Sequence, residues 1–268
     1  MLELIQITND PAFARRCDAL DGMRLFVDLE RLGKAERQAG RSTFISQHEV
    51  ADVGKVKAQL RRSRLMVRVN PVNPGTRAEL QAVLDAGADL LMLPMFSDAA
   101  QLRGFLRLVD GRAPVVPLLE TAGALASLLE WIDTPGLAEV YVGLNDLHAS
   151  LGRRFMFEPL AEGLVDQVAH VVHGRGLDFG FGGIARLDEG LLPGRDVLAE
   201  HLRLGSRSVI LSRTFHRGGA SDRFEADVEA LRATEAALAA RTAQQVQDDA
   251  TRIAAAIGGV AAGMAPAA

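Results

Sequence analysis

Val116-Pro117-Leu118-Leu119-Glu120-Thr121-Ala122 and, further on, Val140-Tyr141-Val142-Gly143-Leu144-Asn145-Asp146-Leu147 are two apolar, β-prone runs that each end in a carboxylate. Runs that are apolar throughout, rather than alternating, are expected of strands buried on both faces, as in a parallel sheet covered by helices. Working outward from them, the chain contains eight: Leu2–Ile7, Arg24–Glu30, Leu65–Asn70, Asp89–Pro94, Val115–Glu120, Glu139–Leu144, Asp178–Gly183 and Arg207–Ser212. Helical spacing of apolar residues fills the gaps, at Pro11–Leu20, Thr76–Ala86, Asp98–Val109, Ala122–Ile132, Leu160–Gly174 and Leu191–Leu204. Eight such β/α repeats predict an α/β protein of the closed (β/α)8 TIM-barrel type. The rival is a doubly wound open sheet, which places a Gly-rich phosphate turn after its first strand. Here the first strand runs into Thr8-Asn9-Asp10-Pro11, a helix cap without that turn.

Two regions exceed the repeat. Arg31 to Arg64 is longer than one helix requires, and Ser42-Thr43-Phe44-Ile45-Ser46-Gln47-His48 reads as a loop over the barrel mouth that leads into a further helix. From Ser221 the chain is charged, then Ala-rich, with apolar spacing suited to one or two helices. The domain reading is therefore a barrel over residues 1–220 and a helical extension over 221–268, which covers the barrel or packs on another subunit. The last dozen residues of that extension are expected to be disordered.

In a barrel the chemistry sits at the C-terminal ends of the strands. Strand two ends in Asp28-Leu29-Glu30, strand three in Arg68-Val69-Asn70, strand five in Glu120-Thr121, strand six leads to Asn145-Asp146, strand seven to Gly182-Gly183, and strand eight to Ser212-Arg213. Glu120 and Asp146 offer hard oxygen ligands at neighbouring strand ends, which suits Mg2+ or Mn2+; alternatively, each caps the helix that follows. Arg68 interrupts an apolar run, where a charge needs a partner or a polar site. It either clamps a substrate oxygen through its forked donors or forms a structural ion pair. Of Asp28 and Glu30, one is expected to face the barrel and the other the surrounding helices. Gly182-Gly183 suits backbone approach to an anion, or a tight turn, and Arg213 is a candidate anion partner.

Of the three lysines, Lys34, Lys55 and Lys57, none ends a strand, which disfavours Schiff-base chemistry. The six histidines lack zinc-protease spacing; His48 and His148 fall in loops near the mouth, and His170 and His173 on a helix face that reads as solvent-exposed.

The 268 residues carry 30 Lys plus Arg against 34 Asp plus Glu, a net charge of −4 that gives no basic surface for nucleic acid. An anionic substrate must therefore be met by local arginines. The single cysteine, Cys17, and an N-terminus that begins directly with a strand-like run point to the cytoplasm. No apolar run reaches the roughly 18 residues of a membrane span.

Val67-Arg68-Val69-Asn70, Leu93-Pro94-Met95, Leu119-Glu120-Thr121-Ala122-Gly123 and Gly143-Leu144-Asn145-Asp146-Leu147, in that order, resemble the HpcH/HpaI aldolase and citrate lyase beta-subunit family. The resemblance runs from about Leu2 to Phe215 and implies a phosphoenolpyruvate/pyruvate-type barrel. It assigns Mg2+ or a similar ion to Glu120 and Asp146, and contact with the substrate oxyanion and carboxylate to Arg68. The implied chemistry is reversible carbon–carbon cleavage through a metal-stabilised enolate. The chain departs from the aldolase branch, which has a Glu-His pair after strand two where this sequence has Glu30-Arg31. It also departs from the lyase branch, whose Asp-Leu-Glu-Asp is reduced here to Asp28-Leu29-Glu30. Proton transfer thus stays open between His48, Asp28, Glu30 and a metal-bound water.

The expectation is a divalent-metal-dependent carbon–carbon lyase or aldolase acting on a small 2-oxo acid, cytoplasmic and homo-oligomeric, as a trimer or hexamer. Arg153, Arg154 and Arg186 leave room for a coenzyme A thioester as substrate instead. A barrel without catalysis, used for binding or assembly, is the alternative from a different class.

Overall fold

The computed structural model describes residues 1–34, 46–216 and 223–264. All eight expected strands form, as β1 (Glu3–Ile7), β2 (Met23–Asp28), β3 (Leu65–Arg68), β4 (Leu90–Leu93), β5 (Val115–Leu119), β6 (Glu139–Val142), β7 (Asp178–Ile184) and β8 (Ser208–Leu211). They follow one another around a closed barrel in the order β1 to β8, which is the (β/α)8 arrangement and excludes the open sheet. By compactness the chain divides into two units, Ile5–Val140 and Met1–Leu4 with Tyr141–Ala268.

In the unit Ile5–Val140, β2 to β5 pair in parallel, with Asp28 opposite Arg68, Arg68 opposite Met92 and Leu93 opposite Pro117. Every residue of β2, β4 and β5 is buried, as the unbroken apolar runs required. The helices here are Pro11–Asp18, Val50–Lys57, Thr76–Asp85, Ala99–Val109, Ala122–Ala126 and Leu128–Trp131. Asp10 caps the first of them, its side chain accepting the Ala12 N–H with Pro11 in the opening turn. The single helix expected over Ala122–Ile132 is instead two, because the chain breaks at Ser127, whose hydroxyl donates to the Gly123 carbonyl. At the opening of β2 and β6, Arg24 and Glu139 form a buried ion pair of 2.6 Å.

The other unit holds β7 and β8, paired Gly180 to Ser208 and Gly183 to Ile210, with a bulge between the two pairs. Gly182 sits in that bulge at φ 54, a left-handed conformation that favours glycine. The Tyr141 hydroxyl spans the gap, donating to the Gly182 carbonyl at 2.6 Å and accepting from the Ile210 N–H at 2.8 Å. The helices are Leu144–Ser150, Glu158–Ala161, Leu164–His173, Gly194–Arg203, Phe224–Ala239 and Ala243–Ala262. Leu160–Gly174 was expected to be one helix; Gly163, at φ 74, ends one piece and opens the next.

The tail forms the two expected helices. Phe224, Leu231, Ile253 and Ile257 are buried, Arg252 pairs with Asp196 at 2.7 Å, and Arg241 donates to the Ala199 carbonyl. The extension therefore packs on the helix Gly194–Arg203, and buried Ile257 and Ala261 keep it helical to Ala262, through the first half of the stretch expected to be disordered. Residues 265–268 lie outside the described set, as do 42–45 of the expected mouth loop. Among the described residues no helix is long and apolar enough to cross a membrane.

Candidate active site

The register of β2 against β3 sets Asp28 beside Arg68, and the two side chains lock together. Arg68 donates Nε to Asp28 Oδ1 at 2.8 Å and Nη2 to Asp28 Oδ2 at 2.7 Å. This forked geometry uses both carboxylate oxygens and fixes the guanidinium plane. Its remaining nitrogen, Nη1, lies 3.4 Å from Glu30 Oε2. Burial alone would raise the Asp28 pKa, but the Arg68 guanidinium and then the Lys34 ammonium hold it well below the usual carboxylate range. Burial works against the charge on Arg68 too, and is outweighed by Asp28, Glu30 and Glu120, so the guanidinium stays protonated.

Asp28 and Glu30 are not parted, contrary to expectation, since residues two apart share one face of a strand. β2 ends at Asp28, the Glu30 N–H turns back to Asp28 Oδ1 at 3.1 Å, and both buried carboxylates join one cluster. Lys34, set aside because it ends no strand, reaches into that cluster from the loop: its Nζ lies 3.0 Å from Asp28 Oδ2 and 3.4 Å from Glu30 Oε2, and the residue is only 4% exposed. The sole sequence signal for it was the Glu30-to-Lys34 spacing.

Arg31, where the resemblance implies His or Asp, points elsewhere: its Nη2 donates to the His48 carbonyl at 2.9 Å. Asn70 secures the same loop, its Oδ1 accepting the Arg31 and Leu32 N–H groups while its Nδ2 donates to Glu79. His48 is tied back as well. Its Nδ1 accepts the Asp28 N–H at 3.1 Å, so the proton of the neutral ring resides on Nε2, and burial lowers its pKa.

Glu120 follows β5, is 3% exposed, and accepts the Met95 N–H on Oε1 at 3.0 Å. It is not a helix cap, since Thr121 performs that role by accepting the Ala124 N–H. Asp146 lies in the first turn of the helix Leu144–Ser150, whose cap position is Gly143, so it too is no cap. Among the described residues no group of three or more His, Cys, Asp or Glu side chains is arranged as a metal site. Glu120 and Asp146 are each hard oxygen donors of the kind that suits Mg2+, which takes one or two protein carboxylates and keeps water, rather than zinc-cage ligands.

Gly182 and Gly183 lie in and beside the β7 bulge and are partly accessible. Arg213 opens the short 3-10 turn after β8 and is exposed. His148 uses Nδ1 on the Leu144 carbonyl of its own helix, and His170 and His173 are exposed as their spacing suggested.

Residues 48–156 match the family model described as HpcH/HpaI aldolase/citrate lyase. A protein named (3S)-malyl-CoA thioesterase, from Cereibacter sphaeroides, is 35% identical over 139 residues, covering 51% of this chain and 46% of that protein. The chain thus spans about half the length of the curated relatives it matches. Among solved structures, a citrate lyase from Burkholderia xenovorans superposes with a TM-score of 0.64 at 14% identity over 97% of this chain and 83% of its own. An HpcH/HpaI aldolase/citrate lyase family protein from Burkholderia cenocepacia gives 0.62 at 18% identity over 92% and 94%. At such identities these likenesses concern the fold. Residues 48–156 are thus similar to the HpcH/HpaI aldolase/citrate lyase family, and the closed barrel is the fold that its solved structures share.

Proposed function

We propose that the protein is a divalent-metal-dependent carbon–carbon lyase or aldolase that works through an enolate of a small 2-oxo acid. The observation that carries this reading is the fixing of Arg68 at the end of β3: Asp28 holds Nε and Nη2, Nη1 lies 3.4 Å from Glu30 Oε2, and Glu120 lies within the field of the guanidinium. A preorganised guanidinium stabilises charge that develops on an enolate oxygen without reorganising during the reaction. Glu120 and Asp146 are the residues that would hold Mg2+ or Mn2+. Bound there, the ion supplies a Lewis acid that draws off negative charge.

For proton transfer, the candidates are unequal. Asp28 is a weak base because two cations hold it ionised, and His48 presents an N–H rather than a lone pair. Glu30 stands farther from the same two cations, 3.4 Å from each against 3.0 and 2.7 Å for Asp28, and is our choice of proton carrier. Glu120→Ala and Asp146→Ala variants test the metal assignment: both should fold and lose metal-dependent turnover. Full turnover of either in chelator would overturn it.

A second reading, action on an acyl-coenzyme A thioester, is favoured by the name of the Cereibacter relatives. Incubation with malyl-CoA separates the possibilities: hydrolysis releases a free thiol, whereas carbon–carbon cleavage yields glyoxylate and keeps the thioester.

A further inference from the structure

The loop lysine shares its partners with the arginine. Asp28 Oδ2 is 3.0 Å from Lys34 Nζ and 2.7 Å from Arg68 Nη2; Glu30 Oε2 is 3.4 Å from each cation. Two carboxylates and two cations make a formally neutral square. All four groups are shielded from water, with side-chain exposures of 15% for Arg68 and 5% or less for the others, so their charges are poorly screened. Without Lys34, these described groups would carry one positive charge fewer next to Glu120. An anionic substrate approaching Arg68 would then meet repulsion.

Holding the loop in place does not require this lysine. Asn70 already anchors Arg31 and Leu32 by their N–H groups, and Arg31 ties the loop to the His48 carbonyl. A buried ammonium adds little to such an anchor and carries a desolvation cost. We propose that Lys34 is a positioning residue that offsets one of the two carboxylates, so that the cluster around Arg68 presents no excess negative charge to an anionic substrate. This rests on the substrate-facing role of Arg68 given above.

Oxalate, a compact dianion, is a suitable probe, with binding followed by calorimetry on the full chain with and without Mg2+, beside a thermal melt of each variant. Lys34→Gln should weaken oxalate on the order of 10- to 100-fold, and Lys34→Arg should bind like the natural protein. Glu30→Gln should bind more tightly. The double variant K34Q/E30Q restores neutrality and should return to the natural affinity, a rescue that a purely structural lysine would not give. If Lys34→Gln alone fails to fold, the comparison of E30Q with K34Q/E30Q carries the test, and equal affinities would overturn the proposal. Unchanged binding by Lys34→Gln, or a double variant no better than it, would overturn it as well while leaving the proposed function standing. A natural protein that binds no oxalate under any of these conditions overturns both.

Discussion

Met95 donates its backbone N–H to Glu120 Oε1 across 3.0 Å from a left-handed conformation, φ 56, that non-glycine residues seldom adopt. Such strain costs about 1–3 kcal/mol and persists only where the surroundings fix it. Here it aims a donor at the carboxylate assigned to the cation.

Met95→Gly keeps the N–H and removes the strain, so its stability should stay within about 1 kcal/mol of the natural protein despite the lost side chain. Met95→Pro removes the donor and demands negative φ; it should lose far more in a urea melt, and metal-dependent activity with it.

Asp28 links the site to acid stability. Its folded pKa is depressed, so its contribution is present above the unfolded value of about 3.9 and is lost as pH falls below that towards the lower folded value. Asp28→Asn should cost about 3–5 kcal/mol at pH 7, because it leaves two buried cations short of a partner. It should also flatten the loss of stability below about pH 4, which urea titrations across pH will show.

His201 gives a second window. It is fully buried, stacks on Phe181 at 3.8 Å, holds Ser206 through Nδ1 at 2.8 Å, and burial pushes its pKa down to about 3. The unfolded chain takes up a proton near pH 6.5 that the folded chain refuses, so stability falls on acidification between about pH 6.5 and 3 by up to about 1.4 kcal/mol per unit. His201→Gln should remove that slope.

At the opposite end of the strands, Arg24 and Glu139 test whether the barrel floor is separable from the chemistry. Arg24→Met should destabilise by about 3–5 kcal/mol by taking the guanidinium from a buried carboxylate, and Arg24→Met with Glu139→Gln should recover much of that. Turnover per folded molecule should be unchanged in both.

The barrel was legible because strands buried on both faces must be apolar throughout, and eight such runs leave few alternatives. Arg68 was legible for the opposite reason, as a charge within such a run. What hid were features that depend on loops and local backbone. Lys34 reaches the cluster from beyond a strand end, and nothing in the residues around Met95 signals its left-handed turn. The expected parting of Asp28 and Glu30 ran against period-two alternation, which sets residues two apart on one face, and the Glu30 N–H bonded to Asp28 Oδ1 holds both carboxylates together. Ser127 and Gly163 broke two helices whose apolar spacing ran straight through them.

The most direct test is exchange of pyruvate methyl protons with deuterium, followed by proton NMR with Mg2+ or Mn2+. The natural protein should exchange them, and Arg68→Gln should be slower by on the order of a hundredfold or more while retaining its fold. No exchange with either metal, or an Arg68→Gln variant as fast as the natural protein, would contradict an enolate-forming site built around Arg68.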